Sequence, residues 1–326
     1  MKLADISDWR RIRRHGRNLV PININTSAIA SSWCIAVCCI RNEMMRIPNF
    51  LAHYRKLGVA HFLIIDNDST DGLSDYLSKQ ADCSHWRVSS SYKAANFGMD
   101  WCNFLLNRYG PGKWCVTCDP DEFLVYPYSE ERGLRSLTRQ LEAIEQRSLL
   151  AVMIDAYSDK PLSQTPLDAT TDPFSACPYF DRFNLTQSFN AEHRNFWIQG
   201  GCRARVLFKD APSRAPALNK VPLVHWNKGL RYLSSMHHLN DPKLNGDLRL
   251  HPEAVSGALF HFKYVNLLRT KASEELERGE HYDASFEYKV YAEADDLSLY
   301  DARTSLRYEG TSQLSRLGFI QAGLWF

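Results

Sequence analysis

Two carboxylates two positions apart, Asp119 and Asp121, are the first residues in this 326-residue chain whose types and spacing suggest chemistry. On extended backbone both side chains point the same way. Two such charges about 4 Å apart repel by roughly 4 kcal/mol at an effective dielectric of about 20. A proton, water or a cation has to relieve that repulsion. A hard divalent ion accepts oxygen ligands from such a pair and keeps positions open for phosphates and water. It can then neutralise charge developing on a departing diphosphate. Asp-x-Asp also occurs in many exposed turns, so the surrounding elements decide its meaning.

Those elements read as an open α/β sheet. Residues 33–40 (Trp-Cys-Ile-Ala-Val-Cys-Cys-Ile) form a continuous apolar run, as a buried parallel strand does. Ile47, Phe50, Leu51, Tyr54 and Leu57 recur at helical spacing, with Pro48 near the start and Gly58 at the end. Residues 59–66 are apolar again and end in Asp66, which completes a right-handed βαβ unit. Asp68-Ser69-Thr70-Asp71 offers capping side chains for a helix to about residue 80. A weak strand near 86–88 follows, then a helix carrying Met99, Cys102, Leu105 and Leu106, closed by Pro111-Gly112. The strand at 113–118 runs straight into Asp119. Strands starting roughly 26–28 residues apart with helices between them predict a Rossmann-like, mostly parallel sheet flanked by helices.

Sheets of this kind bind ligands at the carboxyl ends of their strands. Here those ends carry Arg41-Asn42-Glu43, Asp66-Asn67-Asp68 and Asp119-Pro120-Asp121-Glu122. Past residue 130 the pattern thins. A strand is expected at 149–155, ending at Asp155, and another at 255–265 with His261 and Lys263 on one face. Residues 160–200, rich in Pro, Asp, Asn and aromatics, suggest pocket-shaping loops, and 267–293 a charged C-terminal helix.

Several segments together resemble bacterial glycosyltransferases of family 2 and, more distantly, family 92. They are Cys-Ile-Arg-Asn-Glu at 39–43, His-Phe-Leu-Ile-Ile-Asp-Asn-Asp-Ser-Thr-Asp at 61–71 and Trp-Cys-Val-Thr-Cys-Asp-Pro-Asp-Glu-Phe-Leu-Val at 114–125. Trp-Ile-Gln-Gly-Gly at 197–201, Leu-Asn-Lys-Val-Pro-Leu-Val at 218–224, Gly-Ala-Leu-Phe-His-Phe-Lys-Tyr at 257–264 and Arg-Tyr-Glu-Gly at 307–310 follow. The resemblance implies a GT-A fold with a C-terminal helical extension, a nucleoside-diphosphate sugar donor, Mn2+ or Mg2+, and inverting transfer to a glycan or glycolipid hydroxyl. Surface polysaccharide or glycolipid synthesis would be its setting. It divides the chain into a basic arm (1–30), a nucleotide-sugar-binding half (31–130), an acceptor-binding half (131–265) and a C-terminal helical segment (266–326).

By the same resemblance, Arg41, Glu43, Asp66, Asp68 and Asn96 belong to the donor site. Asp119 meets ribose or metal, and Asp121 the metal. Asp68 departs from the glycine many family 2 sequences carry in that stretch, which puts the local turn in question. A late histidine completes the metal shell in several GT-A enzymes, with a lysine on the diphosphate, so His261 and Lys263 are assigned those roles. Imidazole suits Mn2+, and a lysine ammonium suits phosphate. The ordinary alternative for His261 is a satisfied core histidine. His237-His238 competes for the metal role, but adjacent residues on extended chain point oppositely, so at most one should enter the site. Lys220, Arg203 and Arg205 could hold phosphate or an anionic acceptor, or simply be surface charge. Asp155 is the first choice for the base that deprotonates the acceptor, with Asp181 and Glu192 as alternatives.

Composition limits the rivals. A net charge of +2 gives no field for nucleic acid. No apolar run reaches the roughly 18 residues of a membrane span, and no secretory signal is evident. Nine cysteines, an odd number, favour a reducing, cytoplasmic setting over a disulfide framework. Cys115 and Cys118 should face opposite sides of a strand, which argues against a redox or zinc pair. The arm carries Trp9, Arg10, Arg11, Ile12, Arg13, Arg14 and Arg17. It could lie on the inner face of an anionic membrane with Trp9 and Ile12 dipping in; a solvated helix or disordered tail is the commoner outcome for such a run. A nucleotidyltransferase would also want paired acids and Mg2+, but usually with a glycine-rich phosphate loop, and residues 39–48 contain no glycine. A non-catalytic carbohydrate-binding protein could use the 8 Trp, 15 Tyr and 16 Phe, but would not need the metal carboxylates.

Overall fold

The computed structural model describes residues 3–182, 184–246, 252–278, 291 and 296–325. In chain order come α1 (Leu3–Gly16), β1 (Val20–Asn23), α2 (Thr26–Ser31), β2 (Cys34–Ile40), α3 (Ile47–Leu57), β3 (His61–Asp66), α4 (Leu73–Ser78) and β4 (Cys83–Arg87). Then follow α5 (Met99–Tyr109), β5 (Trp114–Thr117), β6 (Glu122–Val125), α6 (Leu134–Ala143), β7 (Ser148–Asp155), α7 (Pro173–Ala176), β8 (Tyr179–Asp181), β9 (Thr186–Asn190) and β10 (Asn195–Gln199). The rest are β11 (Asn219–His225), β12 (Tyr232–Ser234), β13 (His238–Leu239), β14 (Gly257–His261), α8 (Leu268–Arg278), β15 (Ser305–Arg307) and α9 (Thr311–Arg316).

Nine strands form one sheet in the order β1-β4-β3-β2-β5-β11-β7-β14-β6. Tracing the pairings, β4, β3, β2, β5, β7 and β14 point one way, while β1, β11 and β6 oppose them. The result is a mixed α/β fold with a mostly parallel sheet. Alternation along β2 sends Cys34, Ala36, Cys38 and Ile40 into one core with α3 and α6, and Ile35 and Val37 into the other with α5. The α3 stripe is buried at the expected residues, and Gly58 at φ 99° closes the helix by donating to Tyr54 and Arg55 carbonyls. Cys115 and Cys118 fall in opposite cores, so the C-x-x-C does not form a pair-wise site.

Three local expectations shift. The polar run after β3 forms a turn in which only Asp71 serves the helix: Asp68 sits at φ 61°, Asp66 accepts from the Ser69 N–H, and α4 begins at Leu73, whose N–H donates to Asp71 at 3.3 Å. The strand expected to 265 stops at His261, and the charged helix is α8; residues 279–290 and 292–295 lie outside the described residues. The N-terminal arm is neither tail nor free helix. Arg11 and His15 of α1 both reach the buried Asp100 of α5 at 2.9 Å, and Gly16 lies so close that a Cβ there would stand 2.2 Å from Phe104 Cγ. Ile12 is 1% exposed within that contact and cannot dip into a bilayer, while Arg10, Arg13, Arg14 and Arg17 remain exposed. Among the described residues no helix is long and apolar enough to cross a membrane.

Candidate active site

The strand order explains why distant residues meet. After Asp119-Pro120-Asp121 the chain reverses into β6, which pairs antiparallel with β14 so that Glu122 lies opposite His261. On its other side β14 runs parallel to β7, and His261 lies opposite Asp155. The Phe262 N–H donates to the Asp121 carbonyl at 2.8 Å and locks this corner. One late histidine is thereby fixed between two acidic strand ends.

A cleft of about 330 Å³ opens at this edge. Arg41 and Glu43 line it from beyond β2, Asn67 from beyond β3, Asp119 and Asp121 from the β5–β6 corner, His261 and Lys263 from the end of β14, and Lys271 from α8. All lie where an open α/β sheet places its ligand.

Asp121 Oδ2 stands 3.6 Å from His261 Nε2, with only 15% and 9% of the two side chains exposed. The other ring nitrogen, Nδ1, is 2.8 Å from Asp155 Oδ1. With Nδ1–H donating there, the lone pair sits on Nε2 and faces Asp121, the arrangement that orients a metal-binding imidazole. Burial would raise the Asp121 carboxyl, but His261, Arg46, Lys263 and Lys271 outweigh it and hold it low.

Asp119 differs from Asp121. Its side chain is 44% exposed, and Lys220 Nζ approaches it at 3.6 Å from below. Crowding by protein first, then the Glu122 and Asp121 charges, push its pKa up to about 7 against the pull of Lys220 and His261. Lys220 itself does not line the cleft. It is buried and binds Glu122 at 3.0 Å, and Glu122 in turn accepts from the Asp119 N–H at 3.2 Å. Burial alone would lower the Lys220 ammonium; Glu122 and Asp119 more than offset it.

Other expected residues scatter. Asp155 is 5% exposed and lies outside the cleft; Arg203 grips its two oxygens at 2.5 and 2.6 Å. Burial would raise this carboxyl, yet the guanidinium and His261 hold it well below the usual range. A base needs reach to its substrate, and this placement speaks against that role. Asp181 is bound by Arg205 at 2.7 Å and by the Tyr157 hydroxyl at 2.5 Å, and Glu192 is exposed. Arg203 and Arg205 thus hold carboxylates within the fold and do not line the cleft. Asp68 pairs with exposed Arg87, and Asn96 donates to the Leu233 carbonyl at 3.4 Å; neither lines the cleft. Asp66 is 1% exposed at the end of β3, and its Oδ2 has no hydrogen-bond partner. Neither His237, which meets the Asn219 carbonyl at 2.7 Å, nor His238, stacked on His193, enters the cleft.

Sequence reading placed Glu122 on this edge without giving it a role, and missed Arg46 and Lys271. Glu122 adjoins the aspartate pair and could have been weighed with it. Arg46 binds Glu43 at 2.9 Å, and Lys271 bonds Glu43 and the Asn42 carbonyl from an element with no distinguishing spacing.

Among the described residues no group of three or more His, Cys, Asp or Glu closes round a metal position. Asp121 Oδ2 and His261 Nε2, 3.6 Å apart, are the closest pair of donors a cation could meet there, with the Asp119 carboxylate lining the same cleft. Such a pair suits Mn2+ or Mg2+ when substrate phosphates and water complete the shell.

No protein-family model matches the sequence, and neither does any curated protein. Among solved structures, a protein described as a glucose-1-phosphate thymidylyltransferase from Bacillus anthracis, in complex with sucrose, aligns at 8% identity over 87% of this chain and 93% of its own, with a TM-score of 0.30. A UDP-glucose pyrophosphorylase from Acinetobacter baumannii aligns at 13% identity over 78% and 97%, with a TM-score of 0.34. Likeness at this level leaves the function to the cleft itself.

Proposed function

We propose that this chain is a metal-dependent glycosyltransferase that moves a sugar from a nucleoside-diphosphate sugar to an acceptor hydroxyl. The observation that carries this reading is the Asp121–His261 pair, 3.6 Å apart at the cleft, with the imidazole oriented from behind by Asp155. In the reaction the acceptor oxygen bonds to the anomeric carbon as the bond to the diphosphate breaks. A cation held by Asp121 and His261 would stabilise the charge left on that diphosphate. Lys263 and Lys271 line the same cleft and can meet phosphate oxygens as point charges. Lys271 would then exchange its contact with Glu43 for one with the donor.

Asp66, 1% exposed and not lining the cleft, is assigned a supporting role behind Asn67, which does line it, rather than a contact with the nucleoside. Asp155 is assigned the role of positioning His261, in place of the base. Lys220 and Glu122 hold the aspartate corner from beneath.

The chemical rival is a nucleotidyltransferase. It would cradle phosphates in a glycine-rich loop, whereas the loop after β2 has no glycine from 39 to 48. Incubation with a panel of nucleotide sugars and Mn2+ decides between them. Release of nucleoside diphosphate from one member supports transfer. Pyrophosphate release from a nucleoside triphosphate plus a sugar 1-phosphate, with no diphosphate from any nucleotide sugar, would replace it by the rival.

A further inference from the structure

The β9–β10 hairpin stands outside the nine-stranded sheet as a two-stranded sheet of its own. Its strands, Thr-Gln-Ser-Phe-Asn and Asn-Phe-Trp-Ile-Gln, carry no charged residue in a chain that is 23% charged. Trp197 is 38% exposed on it, an unusual place to leave an indole. Register puts Ser188 directly across from Trp197, and Asn195 two positions before it on the same face. Asn195 is 2% exposed, and its Oδ1 has no hydrogen-bond partner. The His237 ring lies 5.6 Å from the Trp197 ring at 47°, a second aromatic wall.

Two chain connections lead from this face toward the cleft. Two residues before His237 stands Ser235, which lines the cleft. At the other end β10 runs into Gly200-Gly201, where a Cβ on Gly201 would stand 3.7 Å from Asp155 Oδ2, the carboxylate that orients His261. Asn184 clamps this turn through both the N–H and the carbonyl of Gly201, at 3.0 and 3.1 Å. The hairpin is therefore anchored at its base beside Asp155, the support of His261, and carries its indole outward.

We propose that Trp197 is the acceptor platform, on which a neutral sugar ring of a glycan stacks while the exposed Ser188 meets its hydroxyls and the buried Asn195, donating to the His237 carbonyl at 3.4 Å, holds the second aromatic wall in place. This rests on the transferase reading. An indole matches the C–H face of a pyranose, and uncharged amides and hydroxyls match its rim. The absence of charge on both strands disfavours an anionic acceptor here.

The test uses the full chain labelled with 5-fluorotryptophan, the Trp197 resonance being assigned by its loss in Trp197→Phe. Neutral methyl glycosides of glucose, galactose, mannose and N-acetylglucosamine, and neutral trisaccharides, are titrated in. The expected result is a saturable shift of the Trp197 resonance by at least one of them. Saturation-transfer binding of the same sugar should fall about tenfold in Trp197→Ala and less in Trp197→Phe. A Trp197 resonance unmoved by every sugar overturns the proposal. So does one that moves only with phosphatidylglycerol–phosphatidylcholine vesicles, which would make the hairpin a lipid contact. Failure of the transferase reading shows elsewhere, as Mn2+-dependent UDP binding indifferent to Asp121→Asn.

Discussion

Replacing Asp155 by asparagine separates two roles that a carboxylate at the end of β7 could play. The substitution keeps shape and removes charge, leaving Arg203, whose side chain is 3% exposed, without its counter-ion. Breaking a buried pair in this way costs about 3–5 kcal/mol. For a chain of 326 residues the unfolding entropy is about 0.7 kcal/mol/K, so the melting temperature should fall by about 4–7 °C. The Asp155 carboxyl is held below its unfolded value, so its contribution is full above the ordinary carboxylate pKa of about 4 and is lost as pH falls. The variant should therefore lose the most stability near neutral pH and least in acid. Asparagine also disturbs the acceptor that fixes the His261 tautomer, and loss of such a support weakens metal binding about 10–100-fold. Thermal denaturation against pH and calorimetric Mn2+ titration with UDP present read both effects. Wild-type melting and wild-type Mn2+ affinity, with turnover alone abolished, would refute this reasoning and restore Asp155 as the base.

Two further predictions concern the aspartate corner. Crowding by protein and the Glu122 and Asp121 charges push the Asp119 carboxyl up to about 7, so below that pH cation binding should release a proton and tighten as pH rises, and above it level off; titration in buffers of different ionisation enthalpy measures this, and a flat profile from pH 6 to 8 would contradict it. Lys220→Met should destabilise the fold by about 3–5 kcal/mol in denaturant unfolding, since Glu122 is left buried and charged; Glu122→Gln in the same chain should recover most of that loss, and no recovery would mean the pair is not the cause.

Much of the fold was legible because it rests on local periodicity. The β2–α3–β3 unit and the strand entering Asp119 declare themselves by apolar runs, a helical stripe and a closing glycine. They also place Arg41, Glu43, Asn67, Asp119 and Asp121 on one edge. What stayed hidden depends on strand order. Nothing local in Asn219–His225 says that it inserts antiparallel between β5 and β7, and only that insertion brings Lys220 beneath Asp119. Likewise, β14 lying between β6 and β7 turns Asp155 from a plausible base into the partner of His261. The basic arm misled because its exposed arginines dominate its composition, while the buried Asp100 that receives Arg11 and His15 sits in a separate helix and the Arg231 that pairs with Asp8 lies far along the chain.

The central claim is that Asp121 and His261 share a cation with a nucleoside diphosphate. Electron paramagnetic resonance of Mn2+ titrated into the wild type, Asp121→Ala and His261→Ala, each with and without UDP, tests it most directly. The account predicts that UDP strengthens Mn2+ binding to the wild type and that either substitution removes at least about tenfold of that affinity. Equal Mn2+ binding by all three proteins, or none in the wild type with the nucleotide present, would contradict it.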